Sequence, residues 1–154
     1  MLTVRSRDRI KYFLLMHQRR DDVLRWKKGQ APLPGEIYEM LQGALTRYFA
    51  GFDVVTVPAP SFHVYRKDGY PVWELAKRLR ADVGFDLRKL FPKPSGKTCK
   101  HYTAWRQKSV QNIRLKPGQF VLVLDDIVIT GNTMRVTYEA ILKRGSYPCG
   151  IAVA

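Results

Sequence analysis

An α/β fold with a mostly parallel central sheet flanked by helices is predicted by three observations. Short apolar, β-branched runs recur at 53–57, 120–124 and 150–154. Between them lie segments whose apolar residues repeat at helical spacing. The 154 residues, 45% of them hydrophobic, suit one domain of common size with enough apolar material for a core. Strands that alternate with helices pair in parallel, because each crossover is a helix. The expected organisation is a single domain over 1–154, with a basic helical N-terminal segment at 1–34 and a core at 51–154.

The elements are justified in chain order. From Asp8 to Lys28 apolar and basic residues mix, with Ile10, Phe13, Leu14 and His17 at partly helical spacing. A break follows at Lys28-Gly29-Gln30-Ala31-Pro32-Leu33-Pro34-Gly35. In the next helix Ile37, Leu41, Leu45 and Tyr48 form the apolar stripe, Glu36 sits in the first turn, and Gly51 ends it. Asp53-Val54-Val55-Thr56-Val57, stopped by Pro58, reads as a buried strand. Pro71 suits the first position of a helix that continues through Val72, Leu75, Ala76 and Leu79. Phe91 to Thr103, rich in Lys, Pro, Gly and Ser, reads as a mobile loop. Phe120-Val121-Leu122-Val123-Leu124 is the clearest strand. The helix after it carries Met134, Tyr138 and Ile141 on one face, with Gly145 just past its end. Gly150 to Ala154 reads as the final strand.

Bulk properties narrow the function classes. No apolar run approaches the roughly 18 residues of a membrane span, and the N-terminus lacks the apolar core of a secretory signal. Two cysteines, Cys99 and Cys149, stand in no metal-like spacing. The expectation is a cytoplasmic protein in a reducing compartment, with no membrane partner. Lys and Arg number 27 against 13 Asp and Glu, a net charge of +14, which favours polyanionic partners. Charge alone does not separate a nucleic-acid surface from a merely solvated basic one.

The chemistry is concentrated after the clearest strand. Two adjacent aspartates, Asp125 and Asp126, end it, and a loop of Thr130, Gly131, Asn132 and Thr133 leads into a helix. The end of a parallel strand opens onto the crevice where open α/β sheets bind ligands. The loop offers backbone N–H groups and two hydroxyls at a helix N-terminus, an anion site. Two carboxylates beside a phosphate would repel it unless they face sugar hydroxyls or hold Mg²⁺ between sugar and phosphates. A turn with Thr133 as N-cap is the simpler alternative. One acid and one threonine would satisfy it.

Val121-Leu122-Val123-Leu124-Asp125-Asp126-Ile127-Val128-Ile129-Thr130-Gly131-Asn132-Thr133 resembles the phosphoribosyl pyrophosphate (PRPP) signature of type I phosphoribosyltransferases. That signature runs four apolar residues, two acids, two apolar residues, then Thr-Thr-Gly-x-Thr. The resemblance implies a PRPP site over Asp125, Asp126, Ile127, Val128, Ile129, Thr130, Gly131, Asn132 and Thr133. Asp125 and Asp126 would hold the ribose hydroxyls and Mg²⁺, and Thr130 to Thr133 the 5′-phosphate. The strand ending Val57-Pro58, the basic loop, Gly69-Tyr70 and the helix after it are similar to the ComF (competence protein F) branch, as is Val23-Leu24-Arg25-Trp26-Lys27-Lys28-Gly29. That branch's four-cysteine zinc module is absent, and Pro71-Val72 replaces its Asn-Gln.

Further positions follow from the same resemblance. Pro58, Ala59, Pro60 and Ser61 occupy the pyrophosphate-binding position, where prolines offer no amide and Ser61 is the best donor. A rigid strand-ending turn is the alternative. Lys97, Lys100, His101 and Arg106 lie where the family carries a mobile basic hood, so Lys97 and Lys100 join Asp125 and Asp126 as expected catalytic residues. A solvated lysine-rich loop is the alternative there, and His63, Arg66 and Lys67 rank below it as phosphate ligands. Ile129 stands where oxopurine enzymes of this fold place an Asp, which disfavours oxopurine salvage.

The function expected from this resemblance is Mg²⁺-dependent transfer of a phosphoribosyl group from PRPP to a nitrogen nucleophile. The alternative is a PRPP- or nucleotide-sensing protein on the same fold, associated with nucleic acid as in a ComF-like DNA-uptake role. The expected partners are PRPP or a nucleoside monophosphate, nucleic acid at the basic surface, and a second copy of the chain in a homodimer.

Overall fold

The computed structural model describes residues 2–7, 10–59, 70–90, 115–129 and 131–154. Strands β1 (Thr3–Arg7) and β2 (Ile10–Leu14) form an N-terminal hairpin, followed by a 3-10 turn at His17–Arg19 and helices α1 (Arg20–Lys27) and α2 (Gly35–Tyr48). Then come β3 (Val54–Thr56), α3 (Pro71–Val83), β4 (Phe120–Asp125), α4 (Asn132–Lys143) and β5 (Tyr147–Ala152). The sheet order is β1-β2-β5-β4-β3, parallel throughout except for the antiparallel β1–β2 pair. The α/β class with a mostly parallel sheet therefore stands. No helix among the described residues is long and apolar enough to cross a membrane.

The N-terminal segment departs from its expected helix. Ile10, Tyr12 and Leu14 are buried while Lys11 is exposed, a period of two. Parallel pairing of Tyr12, Phe13 and Leu14 with Gly150, Ile151 and Ala152 gives those residues a better burial than an isolated helix face could. The helical part of the segment is confined to α1 and the short turn before it.

Two faces are covered. Phe13 meets Phe49 at the end of α2, with ring centroids 5.5 Å apart and an edge-to-face angle of 74°. Opposite, α4 lies on β4 and β5, because Gly150 leaves room for it: an added Cβ would sit 2.4 Å from Met134 Sδ and 2.6 Å from Tyr138 Oη. Tyr138 donates from its hydroxyl to the Lys11 carbonyl at 2.7 Å, tying α4 to β2.

Three smaller boundaries differ from expectation. Tyr48 is exposed, and the buried stripe of α2 runs through Ile37, Leu41, Ala44 and Leu45 instead. Phe49, not Gly51, follows the last turn of α2, and Gly51 takes no left-handed conformation. β5 starts at Tyr147 rather than Gly150. Proline is tolerated there because Pro148 pairs with β4 alone; β2 reaches only Gly150 to Ala152, so no partner needs the missing N–H. At the sheet's other end, Val55 donates to Asp86 O at 2.8 Å and Arg88 to Val55 O at 3.0 Å, so the chain at 86–88 covers the β3 edge.

The parallel strands all end at one rim. The residues after β2, β3, β4 and β5 gather there, beside the start of β1. That rim is where a ligand site belongs in such a sheet.

Burial raises several acids in the core. It pushes the Tyr138 phenol well above its ordinary 10.0, the Tyr38 phenol to about 12 with the Asp82 carboxylate it bonds adding to the effect, and the Cys149 thiol above 9.0. The native state therefore retains protons that the unfolded chain gives up from about pH 9, so stability falls as pH rises from there toward 12. The midpoint of urea unfolding, measured from pH 8 to 11.5, should decline across this window, and less steeply in Tyr138→Phe. A flat midpoint would contradict the assignment.

Candidate functional site

Strand β4 delivers two carboxylates to the rim. Its residues 121–124 are fully buried, so they are apolar, and the strand ends on Asp125 and Asp126, which are themselves only 7% and 4% exposed. Beyond the formal strands the backbone pairing continues. Val153 N–H donates to the Asp125 carbonyl at 3.1 Å, Ala154 N–H to the Asp126 carbonyl at 2.9 Å, and Val128 N–H to the Ala154 carbonyl at 3.2 Å. The loop is thus clamped along the end of β5.

The carboxylates close turns on themselves. Asp125 Oδ1 accepts from the Asp126 N–H at 2.8 Å, and Asp126 Oδ1 from the Ile127 N–H at 2.6 Å. Lys27, the last residue of α1, adds an ion pair, Nζ to Asp126 Oδ1 at 2.9 Å, across 99 residues of sequence. A buried carboxylate without a partner is costly, and the Lys27 ammonium offsets that cost for Asp126. All the bonds to the Asp126 carboxylate fall on Oδ1. Its Oδ2 makes no hydrogen bond among the described residues, which leaves one buried acceptor oxygen at the rim.

Helix α4 starts six residues after Asp126. Gly131 caps it with φ +84°, a conformation that costs other residues about 1–2 kcal/mol. It also packs closely: an added Cβ would lie 3.0 Å from Arg7 Cβ and 3.3 Å from the Arg7 carbonyl oxygen. The first turn of α4 holds no acidic residue, so the positive end of its dipole faces the loop undiminished. Asn132 and Thr133 form that turn, with Asn132 Oδ1 accepting from Arg135 Nη2 at 2.6 Å.

The remaining expected residues divide plainly. Ile127 is buried, Val128 half-buried, and Ile129 exposed. Pro58 and Ala59, after β3, are buried at the same rim, and the Pro58 carbonyl accepts from the Tyr70 hydroxyl at 2.6 Å. Thr130, Pro60, Ser61, His63, Arg66, Lys67, Lys97, Lys100, His101 and Arg106 lie outside the described residues. The donor set fits a hard cation only in part. Asp125 and Asp126 supply carboxylate oxygens, but among the described residues no third His, Cys, Asp or Glu joins them. A Mg²⁺ ion here would take its other oxygens from sugar, phosphate and water.

Sequence reasoning missed Lys27. The segment Val23 to Gly29 was distinctive, but nothing in it says which acid its lysine meets, since that contact exists only once α1 folds onto the rim. Arg5, Arg7 and Arg20 were likewise counted only as charge. They line a cleft of about 380 Å³ beside the loop, with Ile127 and Val128 as its wall. No protein-family model matches the chain.

Three substitutions test this geometry. Lys27→Met should destabilise the fold by about 1–3 kcal/mol in urea unfolding, and adding Asp126→Asn should restore most of the loss, since removing both partners is far less costly than orphaning one. Gly131→Val should cost about 2 kcal/mol through its left-handed backbone and the Arg7 contact. A Gly131→Val variant as stable as the parent would contradict the loop conformation.

Proposed function

We propose that the chain binds a phosphorylated ribose at the loop between β4 and α4, and that it is a phosphoribosyltransferase transferring from PRPP to a nitrogen nucleophile. The observation that carries the reading is the buried Asp125–Asp126 pair at the end of a parallel strand, with one carboxylate oxygen of Asp126 uncommitted, five residues before a glycine-capped helix N-terminus. The fold is inferred to be of the type I phosphoribosyltransferase kind, supported by that placement of the signature at the C-terminal rim of the sheet.

In this reading the chain's residues do little covalent work. Asp125 and Asp126 accept hydrogen bonds from the ribose 2′- and 3′-hydroxyls and fix the ring. The N–H groups at 131–133 and the Thr130 hydroxyl hold the 5′-phosphate, each charge-assisted bond contributing about 1.5–3 kcal/mol. The nucleophile's nitrogen forms a bond to C1 of the ribose as the C1–O bond to pyrophosphate breaks, and pyrophosphate leaves with the electron pair. Positioning and fixed charge supply the rate. Mg²⁺, when bound, supplies positive charge for the departing pyrophosphate.

One observation favours a second reading, a ribose-phosphate sensor that performs no transfer. Pro58 and Ala59 are buried, and the prolines of that loop offer no amide donors to a pyrophosphate. Calorimetric titration decides between them. PRPP should bind with micromolar affinity that requires Mg²⁺ and is lost in the Thr130→Val, Asp126→Ala double variant. Binding of ribose 5-phosphate as tight as that of PRPP would select the sensor. Failure of both ligands to bind would overturn the ribose-phosphate site.

A further inference from the structure

The cleft beside the loop is positively charged in a way the ribose-phosphate reading does not use. Arg5 and Arg7 alternate along β1 and so share a face; in the antiparallel register Arg5 stands directly opposite Tyr12. Arg20 joins them from the first turn of α1, and Ile127, Val128 and Leu14 supply apolar surface. Among the described residues no acidic side chain lines the cleft, which Ser6 and Ala154 complete. Some arginines elsewhere are paired, Arg19 with Asp22 and Glu36, Arg88 with Asp86 and Arg135 with Glu139, while among the described residues others such as exposed Arg25 and Arg80 are not, so the cleft is set apart by the clustering of its arginines. Arg5, Arg7 and Arg20 make no ion pair or side-chain hydrogen bond among the described residues.

A second, independent feature points to a ligand. Tyr12 lines the same cleft, is only 5% exposed, and its hydroxyl has no hydrogen-bond partner among the described residues. A buried hydroxyl without a partner is costly, and natural structures rarely leave one so. Three unmatched guanidinium groups around an unmatched hydroxyl suit one chemistry. Guanidinium forks and a phenol donor bind the oxygens of a carboxylate or phosphate, and the apolar wall suits an organic body.

We propose that this cleft binds a small organic anion, and that the anion is the nucleophile substrate: a nitrogen compound bearing a carboxylate or phosphate group. The first part stands on the cleft alone; the acceptor role rests on the phosphoribosyl reading. Ile127 and Val128, its wall, directly follow Asp126, and the backbone bond of Val128 to Ala154 holds wall and acid pair in one rigid unit. A ligand seated here would lie next to a ribose held by those acids. The volume, about 380 Å³, is that of a small-molecule site.

Calorimetry on the full chain with phthalate and with phenyl phosphate tests the site, the two probes separating carboxylate from phosphate preference. Saturable one-to-one binding of either is expected. It should weaken about tenfold or more in Arg5→Gln and in Arg7→Gln, weaken several-fold in Tyr12→Phe, and stay unchanged in the charge control Arg88→Gln. Circular dichroism of each variant should match the parent, since the arginines are exposed. Absence of saturation by both probes below about 10 mM, or equal loss in Arg88→Gln, would overturn the anion site. The acceptor role has its own readout. The bound probe should persist at saturating PRPP, whereas displacement by PRPP would overturn that role. A chain that binds the probe but not PRPP would retain the anion site and sink the phosphoribosyl reading, together with the acceptor role built on it.

Discussion

The ion pair between Lys27 and Asp126 is the interaction on which the site depends. It joins two elements that share no local sequence, the end of α1 and the loop after β4, and it does so where the carboxylate is almost wholly buried. Without that partner the buried carboxylate would be costly enough to favour opening of the loop. With Lys27 in place the buried acid is paired, and the same Oδ1 accepts from the Ile127 N–H and holds the loop. The remaining features follow this one. The β5 extension clamps the same loop from one side, Gly131 against Arg7 fixes it from the other, and α4 begins where the loop ends.

Much of this was legible in the sequence because it rests on short-range signals. The apolar run Val121 to Leu124 reads as a strand and is fully buried, and Pro71 starts α3 by its fixed backbone angle. The loop from Asp125 to Thr133 announced itself by composition. What failed was long-range. Ile10, Phe13, Leu14 and His17 read as partly helical because apolar residues crowd the segment, and only pairing with β5 reveals the alternation of Ile10, Tyr12 and Leu14. Tyr147 to Cys149 belong to the last strand because Pro148 pairs with β4 alone, a tolerance that depends on how short β2 is. Lys27 had no local signal at all, since a lysine near a helix end normally faces solvent.

Charge distribution completes the account. A net charge of +14 invites a nucleic-acid reading, but charge is informative only by location. Several arginines are consumed in surface pairs that contribute little to stability, such as Arg135 with Glu139. Arg5, Arg7 and Arg20 instead gather in one cleft whose wall, Ile127 and Val128, directly follows the acid pair. Buried carboxylates and clustered cations thus stand side by side, joined through Ile127 and Val128.

The central claim is that the β4–α4 loop receives a phosphorylated sugar, and backbone amide shifts during titration with ribose 5-phosphate test it most directly. The account predicts saturable changes at Asp126, Ile127 and residues 131–133, all following one binding curve. Silent amides at these positions, with changes confined to other parts of the chain, would contradict it.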